Sequence, residues 1–197
     1  MGTVVEGTAV VAGRTVRVHA DFASDHVTLR GGLKGEHPYA TVAVVSSAGG
    51  ILRLQVAGAV AEFPLEEKAD SVAQRIRNPP TVLDKLGLRA GLRVHCIALP
   101  ADLQTDVDRL GVLGGRANLD VVLLGADKLA DLARIATLRE RLAPEGALWV
   151  IYPKGRRDPG EADVIAAGRD AGLKDVKVAR VSATHTGLKF VIPLSQR

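Results

Sequence analysis

Residues 92–104 read LRVHCIALPADLQ, and this stretch decides the fold of the second half of the chain. The near-continuous apolar run 92–99 predicts a buried strand, and a helix is expected over 101–110. The same alternation continues to the end of the chain, with helices expected over 127–143 and 160–172 and strands over 119–126, 147–153, 174–182 and 188–194. Strands that alternate with helices predict a mainly parallel sheet in a three-layer α/β sandwich, here with a C-terminal antiparallel hairpin.

The first 65 residues follow a different pattern, in which apolar and polar residues alternate in short runs between turn residues. About six strands with hairpin-length loops are expected, which is typical of a small antiparallel β-barrel or sandwich. Residues 66–78 then carry a helical stripe of four apolar side chains, Ala69, Val72, Ala73 and Ile76. A helix is therefore expected to close the barrel. A strand meander closed by one helix resembles the pleckstrin-homology-like barrel.

Pro79 and Pro80 mark the expected domain boundary, because proline stops a helix and restrains the residue before it. We expect two domains. Residues 1–78 form the α+β domain, a barrel plus its helix, and residues 81–197 form the α/β domain.

Composition restricts the class of protein. The hydrophobic fraction of 47% supports packed cores, and no apolar run is long enough for a membrane helix. The net charge is +4, and the sequence has no dense basic stripe of the kind found in nucleic-acid binders. Aromatic residues, which stack on bases in such proteins, make up only 3% of the chain. We find no signal peptide, so we expect a cytoplasmic protein that contacts neither a membrane nor nucleic acid. The lone Cys96 excludes an intramolecular disulfide and is expected as a small buried residue.

Three further stretches carry a family resemblance: NPPTVLDKLGLRAGLRV at 78–94, LAPEGALWVIYPKG at 142–155 and HTGLKFV at 185–191. Together they resemble a bacterial family known only as a domain of unknown function. Its members place a methyltransferase-like Rossmann domain behind a small barrel-like region. The element order from residue 88 is also similar to the class I methyltransferase Rossmann fold. The resemblance implies that fold, in a degenerate form, and brings no established activity with it.

The resemblance also implies where a cofactor would bind, and there the sequence departs from the family pattern. In such enzymes the first strand ends in a glycine turn, but residues 99–102 read LPAD. Pro100 removes a backbone donor, and Asp102 is expected to cap or begin the next helix. Residues 105–118 are too short for the helix and second strand that would bring an acidic ribose partner. We therefore expect no cofactor, with S-adenosylmethionine as the alternative.

The candidate binding residues lie in the basic loop PKGRRDPG (153–160) and the hairpin SATHTG (182–187). Both are expected at the carboxyl edge of the sheet, where ligands of open α/β sheets bind. Arginine and lysine there could hold a phosphate or carboxylate. The alternatives are a solvated loop or a protein-docking patch. The candidate anion- or cofactor-binding residues are Lys154, Arg156, Arg157, His185, Thr186, Lys189 and Asp102.

No catalytic constellation emerges, and the five histidines have no metal-ligand spacing. We expect no metal and no catalytic residue. The leading interpretation is a non-catalytic binding or regulatory protein whose partner is a protein or a small anionic ligand. The alternatives are an S-adenosylmethionine-dependent methyltransferase with an atypical cofactor loop, and a protein–protein interaction module. The last of these predicts an exposed apolar patch on residues 1–65.

Overall fold

The alternating pattern of the N-terminal region folds into one antiparallel sheet. The computed structural model describes residues 2–197, and the chain divides into two compact units between Pro80 and Thr81. The strands of the first unit are β1 Thr3–Val11, β2 Arg14–Phe22, β3 His26–Gly31, β4 Gly35–Pro38, β5 Ala43–Ser46, β6 Ile51–Val56 and β7 Ala59–Pro64. Their order in the sheet is β4-β3-β2-β1-β7-β6-β5. The six expected strands become seven, because the short strand β4 forms within the glycine-containing connection that follows β3.

The helix after this sheet is α1, Ala69–Arg77, and it follows a 3-10 turn at Glu66–Lys68. All four residues of the predicted apolar stripe are buried in the core of the first unit. The rings of Phe22 and Phe63 meet edge to face in that core, with centroids 5.4 Å apart. The apolar face of α1 is thus covered, as the sequence pattern predicted.

The second unit is an α/β structure built on a five-stranded sheet. Its elements are α2 Val82–Leu86, β8 Val94–Ile97, α3 Ala101–Arg109, β9 Leu119–Gly125, α4 Arg134–Arg139, β10 Leu142–Pro153, α5 Glu161–Asp170, β11 Lys174–Arg180 and β12 His185–Val191. The sheet order is β11-β12-β10-β9-β8. Strands β8, β9 and β10 are parallel, and β12 runs antiparallel to both β10 and β11. The expected terminal hairpin is therefore present.

Helices cover both faces of this sheet. On one face, apolar side chains of β9 and β10 pack with α4 and α5, where Gly168 lets α5 approach the Phe190 ring more closely than a Cβ would allow. On the other face, Trp149 packs with α2 and α3, and its Nε1 donates a 2.9 Å hydrogen bond to the Leu86 carbonyl. The expected three-layer arrangement is what the second unit contains.

Two expected elements of the second unit differ from the structure. The helix predicted over 127–143 is a 3-10 turn at Leu129–Ala133 followed by the six residues of α4. β10 begins at Leu142, which pairs with Leu119 before a register shift, so the chain has already left the helix there. The strand predicted over 92–99 shortens to β8, because the backbone turns sharply at Ala98.

The sheet ends at β8, because no further full strand forms beyond it within residues 2–197. The segment after α3 contributes one isolated bridge, between Arg93 and Leu113. In it, the Leu113 carbonyl accepts from the Val94 amide and the Leu113 amide donates to the Leu92 carbonyl, both at 2.8 Å. As its length suggested, the segment has no room for a helix and a second strand. Within the part of the chain described, every helix is too short or too polar to cross a membrane.

Candidate functional site

The carboxyl ends of β8, β9 and β10 border a cleft of about 640 Å³. Ligands of open parallel sheets bind at this edge, because the loops after neighbouring strands converge there. The volume lies within the range of small-molecule sites, about 300–1,000 Å³. The polar side chains that could bind a ligand belong to Asp127, Lys128, Arg156, Thr184 and His185. The cleft lies where the sequence placed its candidate site.

The turn after β8 forms one wall of the cleft and depends on a glycine of the neighbouring strand. A Cβ on Gly125, the last residue of β9, would overlap the carbonyl oxygen of Ala98 and lie 2.8 Å from its carbonyl carbon. Ala98 itself has a φ of 50°, in the left-handed region that residues other than glycine seldom adopt. Sequence reasoning looked for a glycine within the turn itself and missed the one on β9, which only the strand pairing brings into contact.

Helix α3 begins at the cleft with free backbone donors. Pro100 is its N-cap residue and lines the cleft, and no side chain caps the helix. The amides of the first turn lack acceptors within the helix, and its dipole adds partial positive charge. Asp102 lies exposed in that turn and does not cap it, contrary to one expectation. Its carboxylate instead borders a smaller cavity of about 230 Å³ together with Asp106, one helical turn away.

The basic loop separates its three cations. Lys154 fastens the loop to the hairpin: its amide donates to the Thr184 carbonyl at 2.8 Å, and its Nζ donates to the Ser182 carbonyl at 2.9 Å. Arg156 lines the cleft, whereas the exposed Arg157 is not among the residues that line it. Of the three predicted cations, Arg156 is the one placed to meet a ligand.

The hairpin before β12 forms a further wall of the cleft. Ser182 Oγ accepts hydrogen bonds from the amides of Thr184, at 3.2 Å, and His185, at 3.0 Å. The Nδ1 atom of His185 lies 2.9 Å from Thr184 Oγ1. The Thr186 hydroxyl donates to the Ala179 carbonyl at 3.1 Å, so it is engaged within the hairpin. His185 is therefore held in place beside the cleft, and Thr186 has a structural contact.

The loop after β9 supplies two site residues that sequence reasoning missed, Asp127 and Lys128. Asp131 Oδ2 accepts the amides of both, at 3.1 and 3.2 Å, and so fixes this loop. The pattern assigned these residues to the start of a helix. Their position directly after a buried strand, at the same edge as the basic loop, was the available signal.

Lys189 lies at the other end of the sheet, so its expected place near the basic loop is wrong. It pairs with Trp149 on β10, while His185 pairs with Pro153. Four residues of strand separate Lys189 from His185, about 13 Å. Lys189 lines a separate cavity of about 290 Å³ with Arg89. Burial lowers its pKa, and the nearby Lys177 ammonium lowers it further.

Two further titratable groups of the second unit, Cys96 and His95, are not among the residues that line this cleft. Cys96, expected to be buried, is half-buried. Burial, and to a lesser extent the Asp108 carboxylate, raises the pKa of its thiol to about 11, so little thiolate is present at neutral pH. Burial also lowers the pKa of His95, and the Arg141 cation adds to that shift. Among residues 2–197, no group of three or more His, Cys, Asp or Glu side chains could hold a metal ion.

Comparison with known proteins gives structural matches only. No protein-family model matches the chain, and no curated protein matches it. One solved structure it resembles is an S-adenosylmethionine-dependent O-methyltransferase from Thermotoga maritima, at 7% identity and a TM-score of 0.41, covering 96% of this chain and 93% of that one. A Burkholderia thailandensis 1,6-didemethyltoxoflavin-N1-methyltransferase with bound S-adenosylhomocysteine matches at 14% identity and a TM-score of 0.38, covering 55% and 73%.

The pyocyanin biosynthetic protein PhzM matches at 11% identity and a TM-score of 0.44. The match covers 64% of this chain and 58% of PhzM, so this chain spans less than two thirds of that protein's length. At these identities and TM-scores the matches concern the fold and assign no activity.

The matches do correct two expectations. A non-catalytic protein was the leading interpretation, and no cofactor was expected. The comparison stands against both, since several of the matched structures are named S-adenosylmethionine-dependent methyltransferases. We therefore abandon both and carry forward the methyltransferase alternative.

Proposed function

We propose that the second unit is an S-adenosylmethionine-dependent methyltransferase domain with an atypical cofactor loop. The observation that carries the proposal is the cleft at the carboxyl ends of β8, β9 and β10, bounded by a strained turn and by an uncapped helix. A non-glycine residue with positive φ costs free energy, and such strain is characteristic of ligand-binding turns. Ala98 has this conformation where the resemblance places the cofactor loop.

The residues of the cleft fit S-adenosylmethionine in part. The volume of about 640 Å³ is sufficient. The free amides at the start of α3 suit the carboxylate of its methionine moiety, because backbone N–H groups and the helix dipole both favour an anion. The carboxylate of Asp127 suits the ammonium group or the ribose hydroxyls.

The fit departs from the family pattern at the ribose. In the methyltransferases that the chain resembles, an acidic residue after the second strand holds the ribose hydroxyls. Within residues 2–197 that strand is reduced to the bridge between Arg93 and Leu113. We assign the ribose contact to Asp127 instead, which approaches from the β9 side of the cleft. The proposed cofactor site thus departs from the family pattern twice, in the turn at residues 99–102 and in its ribose partner.

His185 is the candidate proton acceptor. When bound, S-adenosylmethionine supplies an electrophilic methyl group, and an acceptor that carries a proton must lose it. The imidazole of His185 lines the cleft, and its Nδ1 is engaged with Thr184 Oγ1. Its Nε2 forms no hydrogen bond with the described residues, so it is free to accept a proton.

The test is isothermal titration of the full chain with S-adenosylmethionine and S-adenosylhomocysteine. We expect saturable 1:1 binding of both, weakened at least tenfold in Asp127→Asn. The matched control is Asp106→Asn, which removes a carboxylate from the smaller cavity on α3. No binding at millimolar ligand would refute the proposal, and equal effects of the two substitutions would refute the role of Asp127.

For the first unit we propose a pleckstrin-homology-like barrel that serves as a scaffold. Its antiparallel strand order and the burial of α1 support this. The exposed large apolar residues among positions 2–65 are Val4, Val10, Val45 and Val60. Only Val10 and Val60 among these pair directly across strands, which is too little surface for a docking patch. We do not carry the interaction-module alternative further. Membership of the bacterial family and a cytoplasmic location also stay proposals.

A further inference from the structure

One side of the cleft carries positive charge from two separate loops. Lys128 follows β9 and Arg156 follows β10, and both line the cleft. Asp127 is the one carboxylate among the lining residues that the structure describes. With two cations against one anion, the cleft has a net positive charge before any contribution from His185. This charge favours an anionic ligand.

Neither cation forms an ion pair or a side-chain hydrogen bond with another residue that the structure describes. Lys154 differs, since its Nζ already donates to the Ser182 carbonyl. Surface cations near carboxylates commonly pair with them, so two unpaired cations at one cleft are available for a ligand.

The loops that carry these cations are both fixed by hydrogen bonds. Asp131 Oδ2 holds the amides of Asp127 and Lys128. The two hydrogen bonds from Lys154 tie the start of the basic loop to the hairpin, two residues before Arg156. Fixed loops reduce the conformational entropy that is lost when a ligand binds.

We infer that the methyl acceptor is a small molecule with an oxyanion group, a phosphate or a carboxylate, bound by Arg156 and Lys128. The planar guanidinium of Arg156 can donate two parallel hydrogen bonds to such a group, and Lys128 adds a point charge. The inference rests on the proposed function, because it names the substrate class of that same cleft. It assigns Arg156 and Lys128 to the acceptor and the amides of α3 to the cofactor.

The probe is inorganic phosphate, with acetate as the carboxylate arm, in a ¹H–¹⁵N chemical-shift titration of the full chain at low ionic strength. We expect one saturable site, with shifts at residues 127–128 and 156. Arg156→Ala and Lys128→Ala should each lower the affinity for the preferred anion about tenfold, as the loss of a charge-assisted hydrogen bond implies. The affinity of Arg156→Lys for the anion should lie between those of wild type and Arg156→Ala, because lysine keeps the charge but cannot donate two parallel hydrogen bonds.

The matched control is Arg157→Ala, which removes the same charge from the next residue, one that does not line the cleft. If Arg156→Ala and Arg157→Ala lower the affinity for the anion equally, only the general charge of the loop attracts it, and the inference is overturned. It is also overturned if neither anion shifts the cleft residues.

Titration of the same variants with S-adenosylhomocysteine separates the two proposals. Full affinity for S-adenosylhomocysteine in Arg156→Ala, with phosphate or acetate binding lost, supports both. Weaker S-adenosylhomocysteine binding in Arg156→Ala overturns the inference, because Arg156 would then hold the cofactor's own carboxylate. If S-adenosylhomocysteine fails to bind the wild-type chain while the anion still binds through Arg156, the methyltransferase assignment fails and the oxyanion site stands.

Discussion

Gly125→Ala tests whether close contact between the ends of β8 and β9 builds the cleft. Two effects of opposite sign decide the result. Alanine in a strand is favoured over glycine by about 0.5–1 kcal/mol, because glycine loses more backbone entropy on folding. The new Cβ would overlap the Ala98 carbonyl oxygen and lie 3.4 Å from the Leu99 Cα. These are backbone atoms, so no change of rotamer relieves the contact. Overpacking of this kind costs about 1–3 kcal/mol.

Because the contact is with backbone, the cost lies in the upper part of that range, about 2–3 kcal/mol, and after the gain of up to about 1 kcal/mol the free energy of unfolding falls by about 1–2 kcal/mol. Urea unfolding followed by the fluorescence of Trp149, the one tryptophan in the sequence, measures it within the same unit. At a slope of about 2 kcal/mol per molar, the midpoint falls by about 0.5–1 M. Gly114→Ala is the control, because nothing lies within 4 Å of a Cβ there. A Gly125→Ala protein as stable as wild type would refute the close approach.

Three further predictions concern single groups of the second unit. Tyr152 is 3% exposed and its hydroxyl finds no partner among the described residues. Tyr152→Phe should therefore leave the free energy of unfolding unchanged or raise it by up to about 1 kcal/mol, as measured by urea titration. A fall in the free energy of unfolding of more than about 1 kcal/mol would show that the hydroxyl is hydrogen-bonded. Since the pKa of Cys96 is raised from 9.0 to about 11, its thiolate fraction at pH 8 falls about a hundredfold. Labelling by a thiol reagent should therefore be slow in the native protein and fast in urea, and rapid native labelling would contradict the burial. Hydrogen bonds from Arg93 lower the pKa of Asp120, so its stabilising contribution is present above about pH 3.9, the usual value for an aspartate, and is lost as pH falls through the folded pKa. Asp120→Asn should thus lower the free energy of unfolding by about 0.5–1 kcal/mol at pH 7 and by progressively less below pH 4. Unfolding of wild type and variant at both pH values measures this difference. A difference that grows in acid would contradict the lowered pKa of Asp120.

Local patterns in the sequence predicted most elements of both units, because each element is amphipathic or buried in a regular way. The stripe on α1 and the buried strands β9 and β10 are examples. The pattern failed where a side chain overrides local propensity. Asp131 holds the amides of Asp127 and Lys128, so a run with good helical periodicity starts as a loop and a 3-10 turn.

The candidate site was predicted in position and only partly in membership. Arg156 and His185 line the cleft because they follow strands at its edge. Lys189 was misplaced because its position depends on the register of β12 against β10, which no local pattern gives. Gly125 was missed for the same reason, since its contact is with the turn after a neighbouring strand. Contacts that depend on how distant strands pair could therefore not be predicted from local sequence patterns.

The most direct test of the central claim is to map S-adenosylhomocysteine onto the full chain by ¹H–¹⁵N chemical shifts. The account predicts saturable shifts at the first amides of α3, residues 101–103, and at residues 125–128, on both sides of the cleft. Shifts at one of these segments alone would leave the proposed pose wrong. If millimolar S-adenosylhomocysteine shifts neither segment, the cleft does not bind this cofactor and the methyltransferase assignment is contradicted.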